Sequence, residues 1–297
     1  MGINEILLIC AALLPAAALC IYVFAKDRVE KEPLSLLLGL FVLGALTCYP
    51  AGDIEGYLII GIQKIFEPFA TSVDGNTVYL DYTVFRLFNA SKYFVGVALV
   101  EELGKWLVLI IVTQRNKNFN SLFDGIIYAV FVSLGFAAFE NVLYVLNNGW
   151  INAAMRAVTA VPGHAFDGVL MGYYYSLWHM HEVARDRERT LKAAGAISKT
   201  AKEFSVKRFA VCSLLVPVLA HGLYDYSCTI NTWQATLLFY GFLLFLYIYC
   251  FCKICRFSKN DTLEENYSAA LILRKYKHLP PDTVLYTPTE QPQTVNT

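Results

Sequence analysis

Charge is what this chain has little of. Only 16% of its 297 residues are Asp, Glu, Lys or Arg, against about 25% in an ordinary soluble domain. Neither sign is in excess, since Lys+Arg and Asp+Glu stand at 24 each, so there is no basic surface for nucleic acid and no acidic tail. A glycine-rich phosphate loop, an internal repeat and the His-Glu-x-x-His pair of soluble zinc proteases are also missing. Apolar residues stand in their place: the chain is 57% hydrophobic, too much for a water-soluble globule of this length.

These apolar residues fall into blocks of about 20, the length that crosses a roughly 30 Å hydrocarbon core at about 1.5 Å per residue. The blocks run approximately 3–25, 34–51, 92–113, 123–146, 154–180, 208–228 and 233–255. The expected fold is all-α, a polytopic transmembrane helix bundle of about seven spans. No Lys or Arg precedes the first block, and its apolar run is too long for a cleavable signal, so it is expected to stay as a helix. Lys and Arg gather after blocks one, three, five and seven and are scarce in the other connections. The positive-inside rule then places the N-terminus outside and the C-terminus in the cytoplasm.

The chain divides accordingly. Residues 1–91 hold two spans and an outer loop, in which 57–66 reads as an interfacial helix. Residues 92–228 hold spans three to six, with a charged cytoplasmic helix or hairpin at 181–207. A last span fills 229–255, and 256–297 is a cytoplasmic tail whose Pro-, Thr- and Gln-rich end, 279–297, reads as disordered. Of the eight cysteines, Cys250, Cys252 and Cys255 cluster at the cytoplasmic end of the last span, as reduced or lipidated thiols rather than a metal knuckle.

A carboxylate at the bilayer centre costs roughly 2.5–3.5 kcal/mol, and the spans carry Glu101, Glu102, Glu140, Asp167 and Asp225. Their summed cost, on the order of 10 kcal/mol, rivals the stability of a typical domain. They are therefore expected to face one another or a wet cavity, together with Lys105, Asn141, Arg156, His164 and His221. On a helix Glu101 and Glu102 both neighbour Lys105, at i,i+4 and i,i+3, so the ammonium can neutralise one carboxylate. The other is then protonated or poised as a base. His221 and Asp225 share a face at i,i+4, so the carboxylate can orient the imidazole. Pro162-Gly163 is expected to loosen its helix and present His164 at the opening. Glu140-Asn141 adds an acid and an amide, and the tyrosines at 173–175 read as packing or interfacial belt.

Taken in order, Glu-Glu-x-x-Lys at 101–105, Asp124-Gly125, Gly135-Phe136-Ala137-x-x-Glu140-Asn141, Arg156, Pro162-Gly163-His164-Ala165 and His221-x-x-x-Asp225 resemble the motifs of the PrsW family of intramembrane proteases. That family is similar in motif order to the CAAX prenyl endopeptidases. The resemblance covers about residues 92–228. It implies peptide-bond hydrolysis within a bilayer, expected to be a bacterial cytoplasmic membrane, on a single-pass, membrane-tethered protein such as an anti-sigma factor.

Two chemistries would use Glu101, Glu102, Lys105, Glu140, Asn141, His164, His221 and Asp225. In a glutamate mechanism one of Glu101 and Glu102 activates water, a histidine assists proton transfer, and Asn141 or a histidine N–H receives the oxyanion. In a metal mechanism His164, His221 and Glu102 hold Zn²⁺ and the remaining glutamate is the base. No two of the intramembrane histidines share a helix at ligand spacing, so the metal-free version is preferred and no cofactor is required by it. A transporter or channel would bury the same residue types, but its polar pathway should run the full depth, and spans one, two and seven are nearly free of charge. Counting from the outer ends of the spans puts Glu101, Glu140, His164 and His221 roughly 10–15 Å below the outer boundary, which places cleavage near the outer leaflet.

Overall fold

The computed structural model describes residues 2–74, 77–230, 232–281 and 284. Helix α1 (Ile3–Lys26) starts where the Gly2 N–H donates to Glu5 Oε2 at 2.9 Å and stops where Asp27 turns extended. Ile6, Leu7, Leu14 and Ile21 point outward from it, an apolar outer face suited to lipid.

Helix α2 (Leu34–Phe66) continues without a break through the segment expected to form an interfacial helix, so 57–66 is the end of α2 and not a separate element. The polar residues that interrupt the apolar run there, such as Gln63 and Lys64, are good helix formers, and Pro50 is carried inside the helix. An antiparallel ribbon, β1 (Ala70–Asp74) and β2 (Thr77–Leu80), follows. Helix α3 (Tyr82–Ser91) then begins at Asp81, whose side chain accepts the Thr83 N–H at 2.9 Å. A π-helical stretch, Lys92–Ala98, joins α3 to α4 (Leu99–Thr113) with no interruption.

Helix α5 (Asp124–Val158) is the centre of the bundle. Every residue from 124 to 138 is buried, as expected of a helix that is apolar on all faces. Helices α1, α2 and α6 (Ala160–Ala193) wrap it. The approach of α2 is backbone to backbone: a Cβ at Gly135 would collide with the Phe41 carbonyl, the small-residue packing by which membrane helices come close. Gly149, at φ 73°, kinks α5, and the residues from 150 to 158 continue as a short helical piece.

Span five therefore does not start at 154. The break falls at Thr159 (φ −121°, ψ −70°) and α6 starts at Ala160. Pro162 is consequently in the first turn of α6, where a helix has no use for its missing N–H. The helix does not open at Pro162-Gly163 as expected; the Gly163 N–H makes a regular bond to the Thr159 carbonyl at 2.9 Å.

Among the described residues five stretches are long and apolar enough to cross a membrane, and one of them, Asp124–Ala193, contains both α5 and α6. The others are α1, α2 with its 3₁₀ extension, α7 (Lys207–Ser227) and α8 (Trp233–Lys259). Helix α4, at 15 residues with three charges, does not qualify by length and composition. Of the charged stretch 181–207, the part up to Ala193 prolongs α6. Within the expected tail, α9 (Glu264–Lys275) docks on the end of α6 and the turn after it through Leu191, Ile197, Ala269 and Ile272, and Lys275 reaches the buried Glu188 at 2.6 Å. Most of the end expected to be disordered, 282–283 and 285–297, lies outside the described residues. In the α1–α2 loop, burial pushes the Glu32 carboxyl up to about 8 against the pull of the Tyr128 hydroxyl.

Candidate functional site

Four helices bring the charges expected within the spans to one place. Helix α4 contributes Glu101, Glu102 and Lys105, all buried; α5 contributes Glu140, α6 His164 and Asp167, and α7 His221 and Asp225. The π-helical stretch ends three residues before Glu101, and such irregular turns often set the rotation of a helix at a functional site.

Lys105 is at the centre. Its Nζ donates to Glu102 Oε1 at 2.7 Å and Glu101 Oε2 at 3.3 Å, lies 3.2 Å from His164 Nδ1, and sits 4.2 Å from the centroid of the Phe136 ring. An ammonium only donates, so His164 Nδ1 is the acceptor and the imidazole proton is on Nε2. There it meets Glu140 Oε2 at 3.0 Å. Glu140 is held in turn by Arg156 at 2.6 Å. His221 presents Nδ1 to Glu102 Oε1 at 2.8 Å, while its Nε2 is flanked by Asp225 Oδ2 at 3.5 Å and Glu101 Oε2 at 3.8 Å. The i,i+4 pairing of His221 with Asp225 is thus present, but Glu102 on another helix is the closer partner. The two imidazole rings stand 5.2 Å apart and nearly perpendicular.

Asn141, expected to help receive an oxyanion, is turned away from this group. Its Nδ2 donates to the Ala12 carbonyl of α1 at 2.9 Å, and its Oδ1 accepts from Arg156 Nε at 2.8 Å. Both ends of the amide are taken by structural partners. Asp124-Gly125 also lies outside the site, at the far end of α5; Gly125 faces Gly172 of α6 at backbone distance.

A cavity of ≈ 310 Å³ opens onto the cluster, with Glu101, His164, His221 and Asp225 in its wall. Glu102 does not reach that wall. The cavity adds residues that the sequence reading did not select: Glu55 of α2, Lys92, Tyr144 and Tyr224. Glu55 falls in the stretch expected to be an outer loop, where a charge costs nothing, so no burial argument points to it. Asp167 was recognised as an intramembrane charge, and the structure puts its Oδ2 3.9 Å from His221 Nδ1.

Donor atoms of Glu101, Glu102, His164 and His221 lie within 4.8 Å of one another. Two imidazoles and two carboxylates are a donor set that suits zinc. Two further observations fit a metal: Glu102 Oε2 is buried without a hydrogen-bond partner among the described residues, and around the cavity the carboxyls of Glu55, Glu101, Glu102, Glu140, Asp167 and Asp225 outnumber the cations of Lys92, Lys105 and Arg156.

Residues 32–252 match the model of a family described as PrsW family intramembrane metalloprotease. The chain is similar to a protein named Protease PrsW from Oceanobacillus iheyensis, with 29% identity over 85% of this chain and 97% of the relative. The same name is carried by a Bacillus subtilis protein, 31% identical over 81% of this chain and 90% of the relative. A Clostridioides difficile protein of that name is 28% identical over 80% and 85%. No solved structure matches the chain.

Proposed function

The chain belongs to the PrsW family of intramembrane proteases, and on that premise we propose that it is a metal-dependent endopeptidase acting on a membrane-tethered protein in the outer half of the bilayer. The observation that carries the metal reading is the convergence of Glu101, Glu102, His164 and His221, contributed by three helices, in a buried pocket. Ligand spacing within one helix, the ground for preferring a metal-free mechanism, is not a requirement when α6 and α7 each bring one histidine.

His164, His221 and Glu102 would hold a zinc ion, with Glu102 Oε2 as the oxygen left free for it. When bound, zinc lowers the pKa of water to near 7 and polarises a carbonyl. Of the adjacent pair Glu101 and Glu102, only Glu101 is in the cavity wall, so it is the base that takes the proton of the attacking water and returns it to the leaving amine nitrogen as the C–N bond breaks. Lys105 fixes Glu101 and Glu102 relative to each other. Glu140, itself clamped by Arg156, fixes the His164 ring.

One observation favours the metal-free alternative: the Lys105 ammonium already answers Glu101, Glu102 and His164. Metal content measured beside turnover, in wild type and Glu101→Gln, separates the two. Zinc retained by an inactive Glu101→Gln protein is the expected result, and an active wild type with no metal would overturn the metal reading.

The span arrangement proposed with this function is seven crossings, N-terminus outside, with α4 as the charged third span. The basic residues between the spans and the bacterial sources of the relatives support a bacterial cytoplasmic membrane. The substrate class, a single-pass protein such as an anti-sigma factor, rests on the resemblance stated above. The transporter reading finds no support in the relatives, which are named as proteases.

A further inference from the structure

A second cluster of acids lies at the other end of α5. Asp124 opens that helix, and Glu140 of the protease site is 16 residues, roughly 24 Å, further along. Oxygens of Asp27, Asp124 and Asp261 come within 4.8 Å of one another. They arrive from three separate places: the end of α1, the first residue of α5 and the α8–α9 connection.

Their hydrogen bonds do not balance their charge. Asp124 Oδ2 accepts the backbone N–H groups of Asn120 and Ser121 at 2.9 and 2.6 Å. Ser121 Oγ stands 2.6 Å from Asp124 Oδ1 and 3.0 Å from Asp261 Oδ2, and its single proton can serve only one of them. Asp27 is 2% exposed. Its Oδ2 accepts the Glu32 N–H at 3.1 Å, and the other oxygen of that carboxylate, Oδ1, is buried with no partner among the described residues. Lys31, the nearby cation, donates its ammonium to the Phe24 carbonyl at 2.5 Å. None of the ion pairs among the described residues engages these three acids.

A buried carboxylate oxygen without a partner, as Asp27 Oδ1 is, is costly, and with the carboxylates of Asp124 and Asp261, which backbone N–H groups hold in place, Asp27 forms an oxygen-only donor set. Hard divalent cations select that set, whereas zinc and the softer metals prefer sites that include nitrogen or sulfur. We propose that Asp27, Asp124 and Asp261 bind a hard divalent cation, Mg²⁺ or Ca²⁺, which fastens the α1–α2 and α8–α9 connections to the start of α5. The site is distinct from the protease cluster in both position and ligand chemistry. It joins the first helix to the catalytic core at a point where Ser258 also bonds the Lys26 carbonyl.

The test uses the full chain in detergent, stripped with EDTA and freed of chelator, and follows thermal unfolding as Mg²⁺ or Ca²⁺ is added alone. The expected result is a saturable rise of about 5 °C with at least one of the two cations; which of them acts identifies the occupant. Asp27→Asn and Asp261→Asn should each abolish the rise. Without cation each should unfold no lower than wild type, because a like charge has been removed. His221→Gln, which breaks the transmembrane cluster, should keep the rise. The proposal is overturned if neither cation shifts wild type, if the shift survives in both Asp variants, or if His221→Gln loses it. Should one Asp variant fail to fold, the other decides.

Discussion

His221 Nδ1 lies 2.8 Å from Glu102 Oε1, and the carboxylate on its own helix, Asp225, is farther away at 3.5 Å from Nε2. The ring is therefore oriented chiefly from α4, across a helix interface, and only secondarily along α7. Glu102→Gln should lower kcat/KM by about 10³-fold, since it removes a buried charge bonded to both Lys105 and His221. Asp225→Asn should lower it by about 10-fold, at the low end for a residue acting through a ligand. Initial rates on a fluorogenic transmembrane peptide check both; an Asp225 variant more damaged than the Glu102 variant would reverse the assignment.

Glu101 and Glu102 are adjacent in sequence but differ in position, because only Glu101 is in the cavity wall. Glu101→Gln should reduce turnover by about 10³-fold, within the range for a lost general base, with metal content unchanged. Glu102→Gln and His164→Ala should lose activity and metal together. Elemental analysis of the three purified proteins distinguishes a base from a ligand, and a metal-free Glu101→Gln protein would place Glu101 among the ligands.

Chelation addresses the catalytic type without mutation. Dialysis of active protein against a zinc chelator should abolish proteolysis, and zinc added back should restore it. Lys105 stays as the internal counter-ion of Glu102, so the stripped protein should remain folded by circular dichroism. Full activity after complete removal of the metal would return the mechanism to Glu101 and Glu102 alone.

Much of this site is legible because charge inside an apolar span is expensive, and α4, α6 and α7 each carry more than one polar residue that cost alone marks. Asn141 shows the limit of that reasoning. An amide next to a functional glutamate is on a different face of the helix, and nothing in the local sequence reveals that the Ala12 carbonyl, 129 residues away, is its partner. Glu55 was hidden for the opposite reason: it follows Pro50 and Asp53 in a stretch of mixed polarity that reads as a loop, yet α2 continues through it. The expected start of the fifth span, 154, lies ahead of the observed start of α6 because residues 150 to 158 are helical and mostly apolar. The real boundaries, at Gly149 and Thr159, are set by backbone angles, and of these only the Asn147-Asn148-Gly149 run leaves a trace in the sequence.

Asn141→Ala tests this distinction directly. Loss of the bonds to Ala12 and Arg156 should destabilise the protein by about 1–3 kcal/mol, since the Arg156 Nε would lose its acceptor and α5 its side-chain bond to the α1 backbone. Turnover per folded molecule should stay within about two-fold of wild type, because an oxyanion-hole donor would cost about 10²-fold or more. A drop of that size with unchanged stability would restore Asn141 to the chemistry.

The depth of cleavage follows from where each helix carries its polar group. Lys92 lines the same cavity as Glu101, and nine residues of continuous helix, roughly 14 Å, separate them. Glu140 precedes the kink at Gly149 by nine residues, again roughly 14 Å, whereas His164 is four residues into α6 and His221 six residues from the end of α7, roughly 6 and 9 Å. All four helices thus bring the group within about three turns of one end of the bundle, and Lys92 and Arg156 in the cavity wall are the kind of long cations that reach an interface. Under the proposed orientation that end faces outward. Arg86 of α3 also bonds the Tyr226 hydroxyl of α7 at 3.0 Å, so the segment after α2 is docked at the same end. A single-pass substrate should be cut in the outer third of its span or just beyond it, releasing an extracytoplasmic fragment and leaving a membrane-anchored stub. Mass spectrometry of the two products locates the scissile bond, and a cut in the cytoplasmic half would mean that either the orientation or the shared site is wrong.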